Sequence, residues 1–142
     1  MDKTILAPAA ILALWSLIML IWLVATRLPA MAKVGMDLST AAPGGRGQEI
    51  DQVVPPSVAW KSHNYTHLME QPTLFYAVVG ILTFAGASGG VNTLLAWGYV
   101  GLRIAHSLWQ ATINTIPVRV SLFLLSSALL IALSVHAVIA TL

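Results

Sequence analysis

The sequence predicts an all-α fold, an integral membrane four-helix bundle with short loops except for a long loop between helices 1 and 2. Of the 142 residues, 58% are hydrophobic and only 8% are charged, which is typical of a membrane protein and excludes a soluble domain. Four apolar runs are each long enough for a helix to span a hydrocarbon layer of ~30 Å. Spans joined mostly by short loops pack as one compact bundle in the lipid bilayer.

The boundaries of the four spans follow from charges and small residues. No charged side chain occurs between Lys3 and Arg27, which defines the first apolar run. A tight connection of small residues at 86–90 and a turn at 114–117 separate the later runs. We therefore predict membrane spans at about residues 4–26, 60–85, 91–113 and 118–141.

The one long connection is a polar loop over residues 28–58. It contains the run Pro43-Gly44-Gly45-Arg46-Gly47 and the pair Pro55-Pro56, which break helices and favour irregular or extended structure. No soluble domain fits within this loop. The chain is therefore predicted to form a single membrane domain over residues 1–142.

Basic residues near the connections predict the orientation, because they favour the cytoplasmic side. They concentrate beside the first and third connections, at Arg27, Lys33, Arg46, Lys61 and Arg119. Both termini are thus expected on the non-cytoplasmic side of a multi-pass protein, which we expect in a bacterial inner membrane. An alternative is a signal peptide cleaved near Ala30-Met31-Ala32, but the apolar run exceeds the usual ~7–15-residue signal core. The net charge of +2 reflects this orientation, and no motif or basic stripe indicates nucleic-acid binding.

Ionisable and polar residues inside the spans form two helical stripes. Their spacings of three and four place each set on one face of its helix. Charges at such depth are costly unless paired or hydrated, so each is a candidate functional residue. The second span carries His63, His67 and Glu70, and the third carries Tyr99, Arg103, His106 and Gln110.

The predicted topology brings both stripes to the cytoplasmic end of the bundle, where they can face each other. Glu70 and Arg103 are then expected to form a direct ion pair that relieves the desolvation of both groups. The stripes could simply join helices through interhelical hydrogen bonds. Because so many polar residues converge at one end, we favour a ligand site.

The start of the fourth span adds a further basic residue. Pro117 suits the beginning of a helix, and Arg119 then lies in the first turn, near the positive end of the helix dipole. A cation there is mildly unfavourable without an anion nearby. This arrangement indicates an anionic ligand, although Arg119 could equally be an anchor at the membrane interface.

Three motifs give the sequence a family resemblance. The stretch from His63 to Tyr76, with its basic residue, asparagine, glutamate and proline, resembles the second-helix signature of membrane-associated proteins in eicosanoid and glutathione metabolism (MAPEG). Arg103-Ile104-Ala105-His106 and Pro117-Val118-Arg119 are similar to the family's third-helix motif and fourth-helix opening. The spacing is like that of its prostaglandin synthase branch.

The resemblance implies a homotrimer with sites between subunits, open to the cytoplasm. Glutathione would be a co-substrate, and a hydrophobic small-molecule substrate would arrive from the bilayer. Arg119 would be catalytic, stabilising the glutathione thiolate, while Glu70 would bind the amino group, and Arg103 and His106 the carboxylates and backbone. The full set of glutathione-binding candidates is His63, Asn64, His67, Glu70, Tyr99, Arg103, His106 and Gln110.

The sequence also departs from the better-known enzymes of that family. Asn64 is a candidate to replace a missing asparagine, and Ser121 a missing serine. The departures are His63 for an arginine, His67 for the asparagine, Gln110 for a tyrosine, Val120 for the serine, and a proline only two positions after Glu70.

Three functions remain open at this point. The first is a membrane-bound glutathione-dependent transferase or peroxidase acting on lipophilic electrophiles. The second is a non-catalytic lipid-binding scaffold, which would have no use for the charges of Glu70, Arg103 and Arg119. The third is a metal site, because His63, His67 and Glu70 have helical ligand spacing and His106 could complete the set.

Overall fold

A computed structural model describes residues 4–142 of the chain. This part of the chain contains helices and no strand, so the predicted all-α class is confirmed. Six helices follow one another: α1 (Leu6–Lys33), α2 (Gly47–Ile50), α3 (Pro56–Leu68), α4 (Gln71–Phe84), α5 (Val91–Thr112) and α6 (Ile116–Thr141).

Two of the helices, α1 and α6, are long and apolar enough to cross a membrane, judged by length and composition. The outer surface of the bundle fits a lipid environment, because large apolar side chains cover it. Ile21 is 68% exposed, Phe84 84% and Leu94 72%. The stripe of polar residues lowers the hydropathy of α5, and α3 and α4 are each short, so crossing by the other two predicted spans stays a prediction.

The predicted second span, 60–85, is not one continuous helix. The chain leaves helical geometry at Glu70, which has φ −89° and ψ −98°, and α4 begins at Gln71. Pro72 explains the interruption, because proline has no N–H to donate to the carbonyl of Leu68 and its ring would clash with that carbonyl. The span is therefore divided into α3 and α4 at the depth of the polar stripes.

The predicted loop 28–58 is partly helical. Helix α1 continues through Pro29 to Lys33, and α3 already begins at Pro56. The connection that remains, residues 34–55, is called the arm below. It contains a 3-10 turn at Leu38–Thr40 and helix α2, and a small apolar cluster of Ala30, Met31, Val54 and Ala59 joins its end to α1 and α3.

Helix α5 lies at the centre of the packing. It contacts α1, α3 and most extensively α6. Gly98 allows this close approach to α6, because a Cβ atom at that position would lie 2.9 Å from Cδ1 of Leu129. On another side the ring of Tyr99 stacks on Phe75 of α4 at 4.5 Å between centroids.

Side-chain contacts fix the relative directions of the helices. Thr4 lies 3.0 Å from Thr93 through their hydroxyl oxygens, and Trp15 donates to Ser107 further along. Helices α1 and α5 therefore run in the same direction. The end of α1, the arm, the start of α3 and the end of α5 consequently meet at one end of the bundle, which we call the arm end.

Candidate functional site

The interruption after α3 provides a main-chain acceptor inside the bundle. Because the helix does not continue, the carbonyl of His67 accepts only a long bond from the N–H of Glu70, at 3.4 Å, and can accept a second donor from another helix. Nη2 of Arg103 donates to this carbonyl at 3.1 Å, and Nη1 lies 3.3 Å from Nε2 of His67. Arg103 is fully buried, with 0% of its surface exposed. The break in the second span thus holds a buried cation in place.

His67 lies between Glu70 and Arg103, so the predicted direct ion pair is wrong. Nδ1 of His67 is 2.9 Å from Oε2 of Glu70, and no ion pair joins Glu70 to Arg103 among residues 4–142. Arginine can only donate, so Nε2 of His67 is the acceptor, and Nδ1 carries the proton that is donated to Glu70. A three-residue chain of contacts replaces the pair.

Aromatic rings surround the histidines of the site. The rings of His67 and His106 are 4.9 Å apart, and Phe123 of α6 lies 5.5 Å from His67. His106 is 2% exposed, and its Nδ1 has no hydrogen-bond partner. A buried polar atom without a partner is costly. His106 also lines one of two adjacent pockets, which makes its side chain a candidate to contact a ligand.

Two pockets open beside this cluster, and they share His63, His67 and Gln110. Gln110 lines both pockets, which makes its side chain a second candidate ligand contact. The arginine pocket, about 400 Å³, is lined by His63, His67, His106, Gln110, Arg119, Val120 and Phe123. The arm pocket, about 550 Å³, is lined by Gln48, Asp51, Gln52, His63, Thr66, His67, Glu70 and Gln110.

Arg119 enters the arginine pocket from the start of α6. Its Nη1 donates to Oδ1 of Asn114 at 2.6 Å, within the turn that joins α5 to α6. Ser121, considered as a substitute for the missing serine, donates instead to the carbonyl of Pro117. Val120 lines the pocket in place of that serine.

Three of the candidate binding residues do not line either pocket. Tyr99 is fully buried and donates to Oε1 of Gln71 at 3.4 Å, while Gln71 donates to Ser127 at 2.8 Å. Asn64 is 1% exposed, and both polar atoms of its side chain lack a partner. Arg103 is the third, because it lies behind His67. These three residues lie in the layer beneath the pockets and do not form the pocket surface.

The metal alternative has no support in the geometry. Within residues 4–142, no group of three or more His, Asp or Glu side chains is arranged to hold a metal ion. One ring nitrogen of His67 faces the Glu70 carboxylate and the other faces a guanidinium. A cation beside the second nitrogen opposes metal binding there.

Sequence reasoning missed the part of the site that the arm contributes. Asp51 forms an ion pair with Arg27 of α1 and lies 3.6 Å from Nε2 of His63 on α3. Arg27 also donates to the carbonyl of Gly47 at 2.5 Å. These contacts close the arm over the pocket. The charge of Asp51 is the one signal that could have indicated this role. The composition of the loop does not predict where along the bundle that charge lies.

We expect Asp51→Asn to loosen the arm without unfolding the bundle. The substitution removes a carboxylate that is 8% exposed and bonded to Arg27, and a hydrogen bond to a charged group contributes about 1.5–3 kcal/mol. Trypsin should then cleave after Arg46 about tenfold faster, since local opening becomes easier. Asp37→Asn is the matched control, because Asp37 lies in the same arm and bonds only locally, to Ser39. Equal cleavage rates in the two variants would contradict the role of Asp51.

Comparison with known proteins gives one match. The sequence model of the MAPEG family matches residues 5–139, which is nearly the whole chain. No curated protein and no solved structure gave a match.

Proposed function

The chain belongs to the MAPEG family, and from this premise we propose that it is a membrane-bound glutathione-dependent transferase or peroxidase acting on lipophilic electrophiles. Family membership and the two long apolar helices make it a membrane protein, with a role in glutathione-related or lipid metabolism in general. The observation that carries the finer proposal is Arg119, whose guanidinium lines a pocket next to a second, acidic pocket.

The charges of the two adjacent pockets suit a small zwitterionic peptide thiol. Glutathione carries two carboxylates, one ammonium group and one thiol. Glu70 lines the arm pocket, and its carboxylate, on a side chain that is 62% exposed, can receive the ammonium group. Arg119 in the arginine pocket can face the sulfur, and the side chains of His106 and Gln110, which line the same pocket, can contact the peptide groups. Arg103, which lies behind His67, is assigned to orienting that ring.

The proposed chemistry begins with the glutathione thiol. A free thiol has a pKa of about 8.5, and a neighbouring guanidinium lowers that pKa because it favours the thiolate. The thiol proton leaves to solvent through the open pocket, and the sulfur lone pair forms a bond to the electrophilic carbon while the leaving group departs with its electron pair. Arg119 keeps a fixed positive charge near the anionic sulfur throughout.

An apolar groove between α4 and α6 supports entry of the second substrate from the bilayer. It is about 440 Å³ and is lined mainly by Leu, Ile and Val side chains. Gln71 and Ser127 line one end of it, and their hydrogen bond connects that end to Tyr99 and the polar layer. The groove is therefore the proposed site for the hydrophobic part of the electrophile.

We further propose that the working protein is a homotrimer that crosses a bacterial inner membrane four times, with both termini outside. Exposed polar side chains of the site support this trimer. The His63 side chain is 53% exposed and the Glu70 side chain is 62% exposed. A neighbouring subunit would cover these groups. Native mass spectrometry from detergent or nanodiscs should give three times the chain mass. Observation of monomers alone, at concentrations where the protein is active, would contradict this assembly.

Calorimetry of the purified protein with glutathione tests the proposed function directly. Binding in the millimolar range or tighter is expected. The control ligand is the analogue in which a methyl group replaces the thiol, which should bind without releasing a proton. Absence of binding by both ligands would reject the glutathione proposal in favour of a lipid-binding scaffold.

A further inference from the structure

We propose that Asn114 is a positioning residue, which holds the guanidinium of Arg119 in the arginine pocket without neutralising its charge. This inference rests on the proposed function, because it assigns the second residue of the thiolate-stabilising unit. Asn114 lies at the turn between α5 and α6 and does not line either pocket. It would therefore act through Arg119 rather than on the substrate.

The backbone at Asn114 is unusual and well defined. Asn114 has φ 56° and is the only residue other than glycine with a positive φ in the described part of the chain. Its N–H donates to the carbonyl of Trp109 at 2.7 Å, which ends α5. Asparagine tolerates this left-handed conformation, but glycine adopts it at lower cost. Compared with glycine, asparagine therefore adds at this position only a side chain that can form a hydrogen bond.

Within residues 4–142, that side chain makes one hydrogen bond, and it is with the catalytic candidate. Oδ1 of Asn114 accepts from Nη1 of Arg119 at 2.6 Å, across the start of α6. An arginine side chain has many rotamers, and fixing it in one orientation lowers the entropic cost of using it. The contact therefore restrains the guanidinium of a residue that lines the arginine pocket.

The acceptor for the Arg119 guanidinium is an uncharged amide oxygen. Arg27, at the same end of the bundle, is paired with the carboxylate of Asp51, whereas Arg119 forms no ion pair with any residue in 4–142. A carboxylate at position 114 would hold the guanidinium equally well but would cancel much of its field at the sulfur. An amide positions the cation and leaves its charge available for an anionic ligand.

The test is a double-mutant cycle on the full-length protein in nanodiscs. The ultraviolet absorbance of the bound glutathione thiolate is titrated with pH in the wild type, Asn114→Gly, Arg119→Ala and the double variant. Asn114→Gly keeps the left-handed backbone and removes only the acceptor. It should raise the apparent pKa of the bound thiol by about 0.5–1, as expected for one lost hydrogen bond. Turnover should fall about fivefold, with the KM for glutathione nearly unchanged.

In the Arg119→Ala background, Asn114→Gly should have no further effect, because the two residues act as one unit. Thr115→Ala is the matched control, since Thr115 lies in the same turn but bonds to Trp109, and it should leave the titration unchanged. An equal shift in both arginine backgrounds, or in Thr115→Ala, would show a structural role of the turn. No shift in the wild-type background would overturn the proposal.

A ligand-free measurement separates this inference from the proposed function. Phenylglyoxal modifies accessible arginines, and mass spectrometry can compare the modification rate of Arg119 with that of the exposed Arg46 in the same sample. Asn114→Gly should raise the relative rate at Arg119 about threefold, because the guanidinium loses a bond. If the wild type shows no thiolate, the proposed function fails, and an unchanged relative rate would then reject the positioning role independently.

Discussion

Arg119→Ala is expected to abolish the thiolate absorbance of bound glutathione at neutral pH and to reduce turnover with a model electrophile by about 100-fold, the usual scale for losing one electrostatic stabiliser. The physical reason is that Arg119 lines the arginine pocket and has a neutral acceptor, so its charge is not cancelled and would act on the proposed ligand. Glutathione itself should bind within about tenfold of the wild type, since in the proposed binding mode its other groups contact other residues. Ultraviolet titration and steady-state kinetics measure both effects.

Two variants sharpen this result. Arg119→Lys should restore activity only in part, because lysine is a point charge without the planar fork that reaches both the sulfur and Asn114. Arg46→Ala removes an exposed arginine of the arm that lines neither pocket, and it should behave as the wild type. If Arg119→Ala kept both the thiolate signal and the rate, Arg119 would be an interface anchor.

Arg103→Met is expected to lower the free energy of unfolding by about 2–4 kcal/mol, because it leaves the carbonyl and the ring nitrogen of His67 without their buried donor. Arg103 is fully buried, so water cannot replace the guanidinium. Thermal melting in detergent should show the loss directly. Arg46→Met, at an exposed position, is the matched control and should change the melting temperature little.

The partner of Arg103 can be identified by double-mutant cycles. His67 contacts Arg103, whereas Glu70 forms no ion pair with Arg103 among the described residues. The coupling free energy between Arg103→Met and His67→Ala should therefore exceed that between Arg103→Met and Glu70→Gln. Pairs in direct contact couple by about 0.5–3 kcal/mol, and distant pairs are nearly additive. A larger coupling with Glu70 would restore the direct pair that the sequence suggested and contradict the intermediate position of His67.

The reasons why the fold was predictable lie in composition and spacing. Apolar runs and tight turns locate the start of α1 and both ends of α5 and α6 to within a few residues, because membrane-spanning helices need long uninterrupted apolar sequence. The stripe on α5 was also readable, since spacings of three and four define a face whatever the neighbours are. The C-terminal end of α1 and the start of α3 were harder to predict, because Pro29 and Pro56 are compatible with a helix as well as with its interruption.

The details of the site depend on information that helical spacing does not contain. The spacing of His67 and Glu70 assumes a continuous helix, and the interruption before Pro72 moves Glu70 off the stripe and onto the exposed edge, where its side chain is 62% exposed. Asp51 could not be located because a loop has no repeating geometry. The bond between Asn114 and Arg119 depends on a left-handed turn, for which one asparagine is a weak signal.

One acceptor that fixes Arg103 is a main-chain carbonyl. This hydrogen bond therefore does not depend on the residue type at position 67. Any side chain there leaves the carbonyl available, provided that Pro72 keeps the helix interrupted. Of the two bonds that His67 offers to the guanidinium, one is therefore insensitive to substitution. The chain can therefore carry a histidine at position 67 and still hold its fully buried Arg103, because Pro72, rather than the side chain of His67, keeps this main-chain acceptor available.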